Sequence, residues 1–426
     1  LHNPEIDDNS QNTQNPLYSG RVKVTFNVNS NESLNDEFFL DFRAQTNGKI
    51  QTVFINNTKT TMRWDKKNGK LYLPSSLLNS NSQNTVEIEF INNFTHQGQG
   101  VHRLIDSNDK EAYLYTNFEP YNANELFPAF DQPDLKAQYT LTVEAPAHWQ
   151  VVSNTRETAV QHSSDTTKTW TFPESQKFST YLFMIAAGPF EVWESQTDHI
   201  PLRLFARKSI AKKVNPEEWF KPTKSSFSFY EGLFGTYPFK KYDQIIVPDF
   251  AAGAMENVAA VTFSESSYGS SASLNTTSRT KLVKVIAHEM AHMWFGDLVT
   301  MKWWEDLWLN ESFATYTSFV FTDKHKTELN LDNNPWKLFY DLYKTWGYNE
   351  DNYNTTHAIV GDVPNTDAAN SVFDGITYGK GASTLRQLAY FLGEDKFFEG
   401  VKVYLNKFPF QNAAREDFIA TLHKPQ

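Results

Sequence analysis

The spacing of apolar residues changes near residue 190, and this change divides the chain into two unlike parts. Before it, short runs alternate apolar with polar residues and are separated by Asn, Gly, Ser and Pro. Such alternation indicates antiparallel strands with one face in solvent. After it, apolar residues recur mostly at the 3.6-residue period of a helix. The sequence therefore predicts a multidomain α+β fold, with a β-rich amino-terminal domain over residues 1–190 and a second domain over residues 191–426.

The chain has 426 residues, of which 40% are hydrophobic, so it can build the cores of two or three domains. The apolar patterns also predict where individual elements lie. Strands are predicted at 22–26, 86–90, 139–143, 169–172 and 244–247, helices at 281–295, 307–321 and 379–392, and a loop in the Ser-rich stretch 264–278.

Composition excludes several classes of function. The formal net charge of −11 argues against binding to nucleic acid or to anionic membranes through bulk charge. The chain has no cysteine, which excludes disulfides, Cys-ligated metal sites and Cys nucleophiles. We find no run of 18 apolar residues and predict no transmembrane helix. A cytoplasmic location is expected, with a periplasmic or secreted protein as the alternative.

Residues 288–292 read HEMAH, within one of the predicted helices. His288 and His292 are four residues apart, so they share one helix face and can reach a single Zn²⁺ at about 2.0–2.1 Å. Glu289, beside the first His, is placed to act as a general base on a water at that metal. The alternative is a helix that holds these letters by chance.

Glu311 is a candidate third ligand, because eighteen residues separate it from His292 and it falls in the next predicted helix. Two His and one Glu leave a fourth tetrahedral position open, as a catalytic zinc requires. The alternative is a solvated helical carboxylate. The apolar neighbours of Glu311 make that alternative costly, because an unpaired carboxylate among them would lose its hydration.

Residues 253–257 read GAMEN and follow a strand-like run just ahead of the metal helix. Taken alone, this segment is a glycine turn with one acid, Glu256. Together with the other motifs it resembles the M1 family of gluzincin aminopeptidases, the aminopeptidase N type. The matching segments are GAMEN at 253–257, HEMAH at 288–292 followed by Glu311, WWEDLW at 303–308, FPAFDQP at 127–133 and FDGITYGKGA at 373–382.

The resemblance, which runs from about residue 113 to 393, implies residue roles that spacing alone does not give. Glu256 would bind the free α-ammonium of the substrate, and Glu119 would contact the same ammonium from the β-rich domain. Tyr378 would donate a hydrogen bond to the oxyanion of the tetrahedral intermediate. Asn117 stands where the family often has Gln, a departure that can alter the pocket for the first side chain.

The GAMEN segment would also hold the peptide. Backbone groups of Gly253 and Ala254 would align the substrate. Met255 would either line the pocket for the first side chain or simply fill the core, and the sequence leaves both open.

The resemblance further implies a thermolysin-like catalytic domain, with the cleft between the two domains and one Zn²⁺ per chain. The family's carboxy-terminal domains are expected to be absent from this chain. The implied activity is a zinc metalloaminopeptidase that acts on peptides with a free amino terminus, with neutral or broad specificity. A catalytically inactive M1-like scaffold and another zinc hydrolase are the alternatives. Oligomeric state is not predicted.

Overall fold

The computed structural model describes residues 16–28, 38–332 and 334–422. Strands dominate the first part of the described chain and precede most of the helices. They are β1 (Leu17–Asn27), β2 (Phe39–Asp41), β3 (Lys49–Ile55), β4 (Thr58–Thr60), β5 (Arg63–Asp65), β6 (Lys70–Tyr72), β7 (Gln83–Asn93), β8 (Gly100–Ile105), β9 (Ala112–Asn117), β10 (Leu141–Pro146), β11 (Gln150–Ser153), β12 (Ala159–His162), β13 (Thr167–Phe172) and β14 (Ile185–Gly188).

These strands pair antiparallel in sheets of order β1-β7-β3-β4, β2-β6-β5, β10-β13-β12 and β11-β14-β9-β8. The predicted strands at 22–26, 86–90 and 169–172 are confirmed, because they lie within β1, β7 and β13.

The strand predicted at 139–143 begins only at Leu141. The N–H of Tyr139 donates to Oγ of Ser175 at 3.0 Å instead of joining a strand ladder. A side-chain acceptor has therefore replaced the partner strand at this residue.

A second group of strands follows residue 190: β15 (Glu191–Gln196), β16 (Pro201–Ala206), β17 (Tyr242–Val247), β18 (Ala254–Met255) and β19 (Ala260–Ser264). They form one sheet of order β15-β16-β17-β19-β18, whose inner pairs are parallel and whose outer pairs are antiparallel. The strand predicted at 244–247 lies in β17. The short β18 is an edge strand, so one side of its backbone is not covered by this sheet. Further on, β20 (Val299–Met301) pairs parallel with β21 (Gln411–Ala413).

Helices dominate the rest of the described chain. They are α1 (Pro216–Phe234), α2 (Glu265–Tyr268), α3 (Thr276–His292), α4 (Trp308–His325), α5 (Pro335–Leu338), α6 (Thr345–Asp351), α7 (Thr366–Ala369), α8 (Gly381–Leu392), α9 (Glu394–Lys407) and α10 (Arg415–Leu422), with π-helical segments at Phe339–Lys344 and Ile376–Lys380. Among the helices in the described ranges, none combines the length and apolar character needed to cross a lipid bilayer. The fold is thus the predicted multidomain α+β arrangement, a β-rich part followed by a largely helical one.

The three predicted helices are present with shifted ends. The helix predicted at 281–295 begins earlier, at Thr276, because the side chain of Asn275 accepts a hydrogen bond from the N–H of Ser278 and caps it. The loop prediction for 264–278 is therefore wrong at both ends, where α2 and the first turn of α3 lie. Serine is an unfavourable residue inside helices but a good one near their amino ends, which explains the error.

Direct contacts join the β-rich part to the part that follows residue 190. The amide of Asn154 donates at 2.9 Å to the carbonyl oxygen of Leu182, within the β-rich part, and at 2.9 Å to that of Val258, between β18 and β19. The ammonium of Lys136 donates to the carbonyls of Asp297 and Leu298, just beyond α3, each at 3.2 Å. We propose residue 190 as the domain boundary, since β14 and β15 lie in different sheets on either side of it.

Candidate active site

The helices α3 and α4 bring together the three predicted metal ligands. Nε2 of His288 and Nε2 of His292 lie 3.2 Å apart, and Oε2 of Glu311 lies 3.3 Å from the first and 3.5 Å from the second. A zinc ion that holds such atoms tetrahedrally at about 2.0–2.1 Å separates them by about 3.3–3.4 Å. The spacing of the three atoms therefore fits one tetrahedral ion.

Local structure fixes the orientation of these side chains. Nδ1 of His292 lies 2.9 Å from the carbonyl oxygen of Phe295, so that nitrogen donates a proton there, and Nε2 is the nitrogen directed at His288 and Glu311. Glu311 lies in the first turn of α4 and is 2% exposed. The rings of Phe295 and Phe313 stack at 4.7 Å where the end of α3 meets α4. Packing between the helices thus holds the carboxylate against both imidazoles.

The electrostatics of the ligand set also suit a cation. Burial lowers the pKa of His288 to about 3, so its imidazole is neutral and can donate a lone pair. Burial alone would raise the pKa of Glu311, but the charge of His292 and the closeness of both imidazoles outweigh it and hold that pKa below its ordinary value. Oε2 of Glu311 has no hydrogen-bond partner among the described residues. Two nitrogen donors and an unsatisfied carboxylate oxygen form a donor set that matches zinc.

A second group of acids adjoins the ligand set. Carboxylate oxygens of Glu119, Glu256 and Glu311 lie within 4.8 Å of one another. Glu119 follows the end of β9 in the β-rich part, whereas Glu256 follows the edge strand β18. Oε1 of Glu119 and Oε1 of Glu256 are buried and find no hydrogen-bond partner in the described part of the chain. Oε1 of Glu256 has a longer contact, 3.7 Å to Nδ1 of His292. The two parts of the molecule therefore each contribute to one small space a carboxylate oxygen that accepts no hydrogen bond.

Burial and mutual repulsion act on these acids. Burial raises the pKa of Glu119 well above its ordinary value, and the nearby charge of Glu256 raises it further. Burial likewise raises the pKa of Glu256, although the charge of His292 opposes the shift. A cationic group placed between the two carboxylates would relieve both effects.

Glu289 belongs to the same cluster. Its ligand atom lies within 4.8 Å of those of Glu256 and His292, and its Oε2 is another buried oxygen without a partner in the described ranges. Burial raises the pKa of Glu289 well above the usual value for a carboxyl group. Glu289 therefore lies next to the predicted metal ligands, and its Oε2 accepts no hydrogen bond from the described residues.

Tyr378 lies on the π-helical segment Ile376–Lys380 and faces the metal ligands. Its ring centroid is 6.3 Å from that of His288, with 21° between the planes. Burial raises the pKa of Tyr378 well above its ordinary value, and the charge of Glu311 adds to the shift. The phenol therefore keeps its proton and remains a hydrogen-bond donor.

The remaining predicted site residues lie around this cluster. Ala254 and Met255 form β18, where they pair with Phe263 and Thr262 of β19. Gly253 is exposed, and its carbonyl oxygen accepts from the N–H of Ser264 at 2.9 Å.

Two of these predicted residues have buried side chains. Met255 is 2% exposed and belongs to the hydrophobic core, which favours the core-filling interpretation. The amide of Asn117 is also buried and donates to the carbonyl of Gly98 at 3.1 Å.

The structure adds two residues that the sequence analysis did not single out. Both carboxylate oxygens of Asp297 are buried beyond α3 without a partner among the described residues, and its position five residues after His292 in an apolar run was the available signal. The indole of Trp346 stacks on the ring of Tyr378, with centroids 5.7 Å apart. Nothing in the sequence distinguishes Trp346 from the other tryptophans.

Comparison with known proteins matches both parts of the chain. The model of the Peptidase M1 N-terminal domain matches residues 7–182, and that of the Peptidase family M1 domain matches residues 219–426. Aminopeptidase N of Streptomyces lividans is 36% identical over 393 residues, which cover 91% of this chain and 44% of that protein. This chain belongs to peptidase family M1.

Other relatives carry different names. Leucyl aminopeptidase of Saccharolobus solfataricus is 35% identical over 403 residues, which cover 89% of this chain and 50% of that protein. Glutamyl aminopeptidase of Sus scrofa is 36% identical over 324 residues, which cover 75% of this chain and 34% of that protein. The chain thus spans half or less of the length of these three relatives.

Proposed function

We propose that this chain is the catalytic part of a zinc aminopeptidase that hydrolyses the first residue from peptides. The observation that carries the proposal is the position of two carboxylates, Glu119 and Glu256, each with a buried oxygen that accepts no hydrogen bond among the described residues, beside a donor set spaced for zinc. The names of the relatives, which are aminopeptidases, support the same conclusion.

The acids Glu119 and Glu256 explain why the enzyme would act at a terminus. An α-ammonium group has three N–H donors, and two buried carboxylates can accept from it in charge-assisted hydrogen bonds. An internal peptide bond has no such cation and would leave both carboxylates unpaired. Recognition of the free amine would therefore place the first peptide bond, and no other, beside the metal ligands.

The ligand set of His288, His292 and Glu311 would hold the zinc ion. Zinc, when bound, polarises the scissile carbonyl and lowers the pKa of a water molecule beside it. Glu289 would accept the proton of that water and then deliver it to the departing amine. The hydroxyl of Tyr378 would donate a hydrogen bond to the carbonyl oxygen as its negative charge develops.

The edge strand β18 would align the substrate. An extended peptide can pair with the uncovered edge of a sheet, and backbone groups of Gly253 and Ala254 lie at this edge. For the first side chain we propose neutral or broad specificity, with Asn117 near its pocket. Relatives named for leucine and for glutamate have nearly the same identity to this chain, so identity alone does not rank the substrates.

The test is hydrolysis of a panel of aminoacyl-arylamides by the purified chain as isolated, after chelation and after zinc is restored. Each arylamide is paired with its N-acetylated form. We expect cleavage that chelation abolishes, that zinc restores and that acetylation prevents. Equal cleavage of the acetylated forms would overturn the role of Glu119 and Glu256. Absence of any cleavage by the zinc-loaded chain would contradict the proposed activity.

A further inference from the structure

Two rings lie nearly parallel to the ring of Tyr378 at one side of the site. They are the imidazole of His288, at 6.3 Å between centroids and 21° between planes, and the indole of Trp346, at 5.7 Å and 23°. The phenol thus stacks against both a predicted metal-ligand side chain and a tryptophan. Stacked aromatic pairs of this kind restrict how far either ring can tilt.

The backbone segments that carry Trp346 and Tyr378 are packed unusually closely. A Cβ at Gly375 would lie 2.6 Å from the carbonyl oxygen of Trp346, and a Cβ at Gly379 would lie 2.0 Å from the carbonyl oxygen of Tyr343. Real Cβ atoms do not approach backbone oxygens so closely, so only glycine fits at both positions. The helix that carries Trp346 therefore rests directly on the segment that carries Tyr378.

Further contacts hold Trp346 in place. Its indole N–H donates to Oε1 of Glu350 at 3.1 Å, one turn further along α6. The ammonium of Lys380, two residues after Tyr378, pairs with the carboxylate of Asp351 at the end of the same helix, at 2.8 Å. These contacts fix the register of α6 against Ile376–Lys380 and hence the position of the indole over the phenol.

We propose that Trp346 is a positioning residue, which holds the ring of Tyr378 so that its hydroxyl points at the developing oxyanion. The inference rests on the proposed function, because it requires Tyr378 to act in peptide hydrolysis. An oxyanion donor is effective only when its direction is fixed before the reaction, and a tilting phenol would lose part of that effect.

A double-mutant cycle with Trp346→Ala and Tyr378→Phe tests this assignment. We expect Trp346→Ala alone to lower kcat about three- to tenfold with little change in KM, the range that one aromatic pair supplies. In the Tyr378→Phe background the same change should lower kcat less than about twofold, because the hydroxyl to be positioned is gone. Trp346→Phe, which keeps a ring to stack, should restore most of the activity.

A binding measurement gives a second readout. A peptide analogue with a tetrahedral phosphinic group in place of the scissile carbonyl should bind about three- to tenfold more weakly to Trp346→Ala than to the wild type. That difference should disappear in the Tyr378→Phe background. Tyr348→Ala is the matched control, since Tyr348 is an exposed aromatic residue on the same helix that stacks on the ring of no other described residue. It should leave kcat and analogue affinity unchanged.

Two outcomes would overturn the assignment. Equal losses in both backgrounds would mean that Trp346 acts independently of Tyr378, and a loss confined to KM would make it a substrate contact. Both arise only in an active wild type, so they leave the proposed function intact. A zinc-loaded wild type without activity would remove the proposed function and this inference together.

Discussion

Two clusters of buried charge in this molecule are built in opposite ways. On the neighbouring strands β16 and β17, the guanidinium of Arg203 donates to both carboxylate oxygens of Asp243, at 2.9 and 2.6 Å. The ammonium of Lys241 donates to the same carboxylate at 2.7 Å. Burial would raise the pKa of Asp243, but Lys241 and Arg203 hold it below its ordinary value.

In the described part of the chain, no arginine or lysine forms an ion pair with the acids of the candidate site, and Glu256 has only a longer contact, 3.7 Å from its Oε1 to Nδ1 of His292. Glu119, Glu256 and Glu289 each have a buried carboxylate oxygen without a hydrogen-bond partner among the described residues. Burial raises the pKa of all three. Arg203 and Lys241 neutralise Asp243 within the chain, whereas Glu119, Glu256 and Glu289 keep buried oxygens that the donors of a bound ligand would satisfy. We propose that the first cluster is a structural ion-pair network and that the second is a site for ligands.

The largest expected effect is on catalysis at Glu289. Replacing it with Gln removes the proposed general base but keeps the size of the side chain, so kcat should fall about 10³- to 10⁴-fold. Zinc content should stay at one ion per chain, because Glu289 is not among the three proposed ligands. Turnover close to that of the wild type would refute its assignment.

In the structural cluster, Asp243→Asn should destabilise the fold. The change leaves the buried Lys241 without its carboxylate and Arg203 with Glu157 alone, at 3.1 Å, and should lower the free energy of unfolding by about 3–5 kcal/mol. Urea unfolding of both proteins at pH 7 measures this change in the free energy of unfolding. A decrease of less than about 1 kcal/mol in the free energy of unfolding would show that this network contributes no more to stability than the acids of the candidate site do.

The same isosteric change at Glu256 should have the opposite character. Glu256→Gln removes one charge-assisted acceptor for the α-ammonium, and kcat/KM for free-amine arylamides should fall about 10- to 100-fold. Stability should be unchanged or higher, because an unpaired buried carboxylate has been removed. An unchanged kcat/KM would remove Glu256 from the substrate site, and a stability loss like that of Asp243→Asn would erase the distinction between the clusters.

His102 provides a smaller test of what an unpaired buried group costs. Burial lowers its pKa from 6.5 to about 4, against the opposing charge of Asp249, whose Oδ2 is 3.9 Å away, and with a small contribution from His96. In the unfolded chain His102 is protonated as the pH falls below about 6.5, whereas in the folded chain it stays neutral until the pH nears 4. The free energy of unfolding therefore decreases as the pH falls from about 6.5 towards 4.

The matched variant is His102→Asn, whose side-chain oxygen can still accept from the N–H of Gly98. Between pH 6.5 and 5.5 the wild type should lose about 1 kcal/mol more stability than this variant. Equal pH slopes for the two proteins would contradict the lowered pKa of His102.

Sequence reasoning predicted the arrangement of side chains where it depends on spacing within an element. His288 and His292 are one helical turn apart, and Glu311 falls in the first turn of the next helix, so their convergence could be predicted. The approach of Glu119 to Glu256 joins distant parts of the chain, and only the family resemblance implied it. The predicted ends of strands and helices were wrong at Tyr139 and in the Ser-rich stretch, where side-chain hydrogen bonds compete with those of the backbone.

Other features of the structure depend on tertiary packing and could not be predicted from the sequence. The stack of Trp346 on Tyr378 exists because glycines let two backbones touch, and neither residue alone indicates it. The network around Asp243 likewise forms only when two strands are placed side by side.

We propose that the cluster at α3 and α4 binds zinc, and a metal titration tests this proposal directly. Zinc is titrated into the chelated chain, bound metal is counted, and thermal unfolding is followed with and without zinc, for the wild type and for His292→Ala. We expect one zinc per wild-type chain, an increase in Tm on binding and neither effect in His292→Ala. Equal binding and stabilisation in both proteins, or none in the wild type, would contradict it.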